Sequence, residues 1–152
     1  MSGSQNAIDA TARAAIESLL TEFCWRVDHG QAATVAELFI EQGRVITPMF
    51  TLEGRAQIAA HFLKRDADKT ILSRHQWSNL RLTPDGATRV RADMIVQTHL
   101  GQQGPPAAPL GLMIGDSLDV VEKGGDGVWR FVERRLHVAF RDGAPPAHGA
   151  KS

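Results

Sequence analysis

Apolar residues recur at three- and four-residue spacing through the first part of the chain. Ile8, Ala12, Ile16, Leu19, Leu20, Phe23 and Val27 form one stripe. That spacing predicts an amphipathic helix packed on a core. Gly30 follows His29 and supplies a C-terminal stop. A short second helix is predicted over 32–39, with Val35, Leu38 and Phe39 inward. Gly43 opens a strand that Pro48 interrupts, and a third helix is predicted over 55–65, with Ile58, Phe62 and Leu63 on one face.

Beyond residue 70 the period falls to two. Four runs, 70–83, 87–100, 111–123 and 127–140, read as strands. Asp85-Gly86 and Gly124-Gly125-Asp126-Gly127 sit between them as hairpin signals. Gly101 to Gly111, rich in Gly and Pro, reads as a long loop between two strands. Helices first and consecutive antiparallel strands afterwards indicate α+β rather than α/β. A long curved sheet with helices on one face encloses an apolar cone, a natural small-molecule site. Residues 1–6 are expected to be disordered, 7–141 to form a single domain, and 142–152 to be a flexible tail.

Composition narrows the function classes. The 152 residues are 43% hydrophobic and 22% charged, as in ordinary globular proteins. Seventeen basic and seventeen acidic residues cancel, which removes the bulk electrostatic argument for nucleic acid or an anionic membrane. The single cysteine, Cys24, excludes an internal disulfide framework. No apolar run approaches the roughly 18 residues that span a bilayer. The N-terminus has no apolar leader core, so the expected location is cytoplasmic. Six histidines show no short ligand spacing and no Gly-rich phosphate loop follows a strand, so no metal and no organic cofactor are expected.

Several segments together resemble a known family. They are Val27-Asp28-His29-Gly30, Glu37-Leu38-Phe39, Leu52-Glu53-Gly54-Arg55, Arg74-His75 with Asn79 four residues on, and Gly127-Val128-Trp129-Arg130-Phe131 followed by Arg134. In order and spacing they resemble the SnoaL-like branch of the nuclear transport factor 2-like superfamily, near its scytalone-dehydratase-like and polyketide-cyclase-like members. The resemblance covers about residues 8–140. It implies a cystatin-like α+β cone, with three N-terminal helices packed on a strongly curved, mostly antiparallel sheet. It also implies a homodimer or homotrimer. Fold alone does not fix function, because this superfamily includes dehydratases, isomerases, cyclases, epoxide hydrolases and non-catalytic proteins.

Asp28 ends the first helix, where the negative end of the helix dipole disfavours its charge and burial would raise its pKa further. A partner cation is therefore expected. The resemblance implies that it orients a histidine or acts as a base; the plain alternative is a solvated helix-end carboxylate. His75 suits proton transfer near neutral pH. Alternation puts His75, Trp77 and Asn79 on one face, an imidazole, an indole and an amide fit for a ligand wall. By resemblance His75 is the general base; the alternative is a structural histidine satisfied by Asn79. His99 closes the second long strand. The resemblance gives it the role of acid toward a leaving hydroxyl, although a one-residue slip would reverse its face. Val27 and Phe50 complete the expected substrate wall.

Other constellations point elsewhere. Arg91-x-Asp93, with Asp116 or Asp119, resembles the water-activating set of limonene-epoxide-hydrolase-like members. An i,i+2 Arg/Asp pair is common on a solvated strand face, and that plain reading is preferred. The absence of tyrosine removes the ketosteroid-isomerase type of oxyanion hole, in which a tyrosine stands beside a protonated acid. Arg134 lies among apolar neighbours and reads as structural, with Asp119 as its partner. Cys24 reads as a buried inert thiol. The expected activity is a small-molecule lyase or isomerase, acting by proton abstraction beside a carbonyl on an apolar substrate. Dehydration, isomerisation and cyclisation all fit. The alternative is a non-catalytic cone that binds an apolar ligand or serves assembly.

Overall fold

The computed structural model describes residues 8–102 and 109–142. The expected N-terminal and C-terminal tails, and the centre of the Gly/Pro loop, lie outside the described residues. Helix α1 covers Ala10–Asp28; its first turn is capped by Asp9, whose carboxylate accepts from the Ala12 N–H at 2.7 Å. A 3-10 helix spans Ala32–Leu38. Strands β1 (Phe39–Ile46) and β2 (Thr51–Glu53) come before α2 (Gly54–Ala67). Strands β3 (Ile71–Pro84), β4 (Arg89–Gln102), β5 (Pro109–Lys123) and β6 (Trp129–Arg141) follow.

The order of elements is the one expected, with two refinements. Only two of the three helical segments are α-helices, and a β1–β2 hairpin separates the 3-10 helix from α2. The expected Gly/Pro loop is shorter than its composition suggests, because β4 runs on to Gln102 and β5 begins at Pro109.

The six strands form one mixed sheet in the order β2-β1-β6-β5-β4-β3. All neighbours are antiparallel except β1 and β6, which run parallel. β3 is therefore an edge strand, and α1 packs against it. The inner sheet face and the helices share one core. Ile16, Leu20, Val35, Phe39, Ile58 and Phe131 are fully buried in it. Phe23 of α1 packs edge-on against Phe39, Phe62 and Phe131, which ties the helix to the sheet through aromatic contacts. Removing rings of this size from a core costs about 3–5 kcal/mol each.

One irregularity sets which side chains face inward. Between Ser78 and Arg81 the β3–β4 register shifts, and Asn79 has a φ of 56°. Two residues, Asn79 and Leu80, thus face one on β4. The extra residue takes the left-handed conformation that asparagine tolerates better than most side chains. The bulge reverses the alternation. Ser73, His75 and Trp77 are at least partly buried before it, Leu80 and Leu82 after it.

Candidate active site

The last residue of α1 and the start of β3 meet at a carboxylate. An edge strand presents a row of N–H groups with no strand to take them. Asp28 takes one: its Oδ2 accepts from the His75 main-chain N–H at 2.6 Å. Its Oδ1 lies 2.6 Å from Nδ1 of the same residue. Ser73 Oγ donates to that Oδ1 at 2.7 Å, and Arg65 Nη2 of α2 donates to Ser73 Oγ at 2.8 Å. Arg74 completes the junction, donating to the Ser73 carbonyl at 2.6 Å and to the Asp28 carbonyl at 3.4 Å. The second of these serves a helix-end carbonyl that has no partner within the helix.

The electrostatics differ from the sequence expectation. Burial does push the Asp28 carboxyl upward, as anticipated. The bond from the His75 ring, the charge that ring carries when protonated, the His75 main-chain N–H and the Ser73 hydroxyl outweigh it together. Asp28 is held below the ordinary carboxylate value and is ionised at neutral pH. An ionised carboxylate only accepts, so Nδ1 carries the proton of the neutral ring. Nε2 then holds the lone pair. The Asp28 side chain is 4% exposed and the His75 side chain 25%, so the carboxylate is shielded while the ring keeps access to its surroundings.

The remaining expected site residues are spread more widely. His75 pairs directly with Thr98 across β3–β4, whereas His99 pairs with Arg74. His99 therefore lies on the outer sheet face and is exposed, which places it opposite to the expected pocket side. The inner β4 residues are Val90, Ala92, Met94, Val96 and Thr98, the more apolar of the two faces. Asn79 is also exposed, because the bulge takes it out of the alternation that strict period-two reading assumed. Trp77 is partly buried on the inner side, its indole N–H donating to Thr21 Oγ1 of α1 at 3.3 Å. Val27 is 6% exposed and belongs to the core. Phe50 packs on the core from the β1–β2 turn, its ring 4.2 Å from that of His61.

Thr98 and Ser73 are inner-face hydroxyls that sequence reasoning passed over. Both fall on the alternating face of their strand, which is the signal that marks them. Arg134 is a third polar group inside. Its Nε donates to Asp119 Oδ2 at 2.9 Å, and Ser117 Oγ donates to Asp119 Oδ1 at 2.7 Å. The Arg134 Cζ lies 4.1 Å from the centroid of the Phe23 ring and 4.6 Å from that of Phe131. Burial pushes the Asp119 carboxyl above its ordinary value, against the pull of Arg134 and Ser117. Burial likewise raises the Cys24 thiol, with Arg134 opposing. A raised thiol is a poor nucleophile.

The epoxide-hydrolase-like set does not assemble. Arg91 and Asp93 contact each other at 3.3 Å on the outer face, and Asp116 is exposed on that face too. Asp119 lies on the inner face. Among the described residues no three His, Cys, Asp or Glu side chains converge as a metal site. Among them, too, no helix is long and apolar enough to cross a membrane. An open surface depression lined by Glu41, Gln42, Arg44, Glu53 and Gly54 shares no residue with the Asp28–His75 site.

Comparison with known proteins agrees with this fold. A sequence family described as a SnoaL-like domain matches residues 9–135. Among solved structures, a scytalone-dehydratase-type protein from Novosphingobium aromaticivorans is 22% identical, with a TM-score of 0.75 over 86% of each chain. ActVI-ORFA from Streptomyces coelicolor is 20% identical, with a TM-score of 0.72 over 84% of this chain and 97% of that one. The hexachlorocyclohexane dehydrochlorinase LinA-type3 from Novosphingobium barchaimii is 19% identical, with a TM-score of 0.73 over 93% of this chain and 96% of that one. At these identities the likeness is one of fold. No curated protein matches the sequence closely enough to count as a relative.

Proposed function

The chain belongs to the SnoaL-like family, and on that premise we propose that it is a lyase or isomerase that removes a proton beside a carbonyl, with His75 as the base. The observation that carries this reading is the contact between Asp28 and the Nδ1 of His75 at 2.6 Å, with the ring still partly accessible. Asp28 fixes the tautomer and stabilises the imidazolium once it forms. Nε2 takes the proton from carbon. The electron pair left behind forms the new double bond, and in a dehydration the β-hydroxyl leaves with the proton that the His75 imidazolium returns, giving water and the free base. In an isomerisation the same proton returns at another carbon. His99, exposed on the outer face, is not retained as the acid. Trp77, with Val96 beside it on the inner face, offers an apolar wall for an aromatic or polyketide-like ketone. The dehydratase and dehydrochlorinase activities in the names of the similar structures favour this class of chemistry.

We also infer a homo-oligomer. The outer face carries Leu118 and Phe140 exposed at 36% and 70%, an apolar surface that a second copy would cover.

A test uses β-hydroxy aryl ketones in deuterium oxide. The wild type is expected to wash deuterium into the carbon beside the carbonyl, or to form the enone. The His75→Ala variant should be slower by roughly 10²–10⁴-fold, the usual contribution of a positioned base. Equal rates in the two proteins would overturn the assignment. Tight binding without exchange would favour a ligand-binding cone.

A further inference from the structure

The Asp28–His75 pair does not end at Asp28. Ser73 lies two residues before His75 on the same face of β3 and is 2% exposed. Its hydroxyl has one proton to give. Arg65 donates to Ser73 Oγ at 2.8 Å, which occupies an acceptor position and leaves the proton for Asp28 Oδ1 at 2.7 Å. The result is a directional chain of bonds, Arg65 to Ser73 to Asp28, ending on the oxygen that also accepts from His75 Nδ1.

We propose that Arg65 and Ser73 are positioning residues for the imidazole of His75, resting on the reading of the Asp28–His75 pair as the base. A guanidinium donating to a hydroxyl polarises it, and a polarised hydroxyl is a better donor to the next group. Ser73 therefore draws negative charge from Asp28 Oδ1. That limits how strongly the carboxylate holds the Nδ1 proton, and it fixes where Oδ1 sits. The chain also joins three elements, since Arg65 is in the last turn of α2, Asp28 ends α1 and Ser73 is the third residue of β3. A shift of α2 relative to β3 is thus transmitted to the ring of His75.

The test reads the Nδ1–H proton of His75 by nuclear magnetic resonance in the full chain labelled with ¹⁵N-histidine, and needs no substrate. The wild type is expected to show one low-field Nδ1–H resonance, absent from His75→Ala. Ser73→Ala and Arg65→Met should each move it further downfield, because Oδ1 loses a competing donor or a polarised one. Ser73→Thr, which keeps a hydroxyl, should leave it near the wild-type position. Adding Arg65→Met to Ser73→Ala should move it no further, since the arginine acts through the serine. An unmoved resonance in Arg65→Met, with thermal stability lowered, would overturn the proposal and leave Arg65 as a strut between α2 and β3. A wild type without the low-field resonance would remove the Asp28–His75 bond, and the positioning role with it. If the resonance shifts as expected and His75→Ala still turns over ketones normally, positioning stands and the catalytic reading falls.

Discussion

The Arg134 guanidinium and the Asp119 carboxylate meet at 2.9 Å with their side chains 9% and 0% exposed. The register places them directly opposite on β6 and β5, so the pair is built into the sheet rather than added to its surface. Such a pair is poor evidence of net stability, but breaking it is costly. Asp119→Ala is expected to lower unfolding free energy by about 3–5 kcal/mol, because it leaves a buried cation unpaired. Replacing both residues, Asp119→Leu with Arg134→Met, should recover much of that loss. Urea denaturation of the wild type and the two variants checks it. A loss below about 1 kcal/mol in Asp119→Ala, the range of surface pairs, would show that water reaches the site.

His99 pairs with Arg74 on the outer face, while His75 faces Thr98 within. The His99→Ala variant is therefore expected to keep ketone-exchange activity within about twofold of the wild type, far from the loss expected when a base is removed. A hundredfold loss in that variant would place a functional site on the outer face.

Asp28 makes stability depend on pH in a defined direction. Its folded-state pKa is below its unfolded one, so the native state binds fewer protons. The contribution is complete above the unfolded value of about 3.9 and is lost as pH falls through the folded value. The stability difference between wild type and Asp28→Asn should thus shrink as pH is lowered below about 4. Urea midpoints measured from neutral pH into the acid range decide this. A difference that stays constant would mean that Asp28 titrates alike in both states.

Asn79 at φ 56° is a backbone position that suits glycine and opposes β-branched side chains. Asn79→Gly should be close to neutral. Asn79→Val should cost about 1–3 kcal/mol, the usual cost of a non-glycine residue forced into this region. Thermal melts of both variants measure it. Equal melting temperatures would mean that the bulge relocates along the strand.

Asn79 also shows where the sequence stops being legible. The long strands were readable because half-buried strands alternate, and α1 was readable from its stripe. Asp28 and His75 were readable because a helix end and an alternating strand fix where each lies. A bulge adds one residue with no sign in the hydrophobic pattern, and it took Asn79 off the face shared by His75 and Trp77. His99 failed for a related reason. The inner face of β4 is the apolar one, and choosing between the two faces needed the β3–β4 register. Arg65 was invisible because its contact depends on how the α2–β3 connection brings a helix end onto Ser73. The lowered pKa of Asp28 was missed because helix dipole and burial can be argued from sequence, whereas three converging donors cannot.

The two-point grip of Asp28 on His75, main-chain nitrogen and ring nitrogen together, has a thermodynamic corollary. The torsional freedom of the imidazole is surrendered as the polypeptide folds. Immobilising a side chain at the moment of association costs roughly 0.5–1.5 kcal/mol. A molecule arriving at this ring meets a group whose aim is already set, so that penalty is spared at encounter, and affinity is left to depend on the arriving shape.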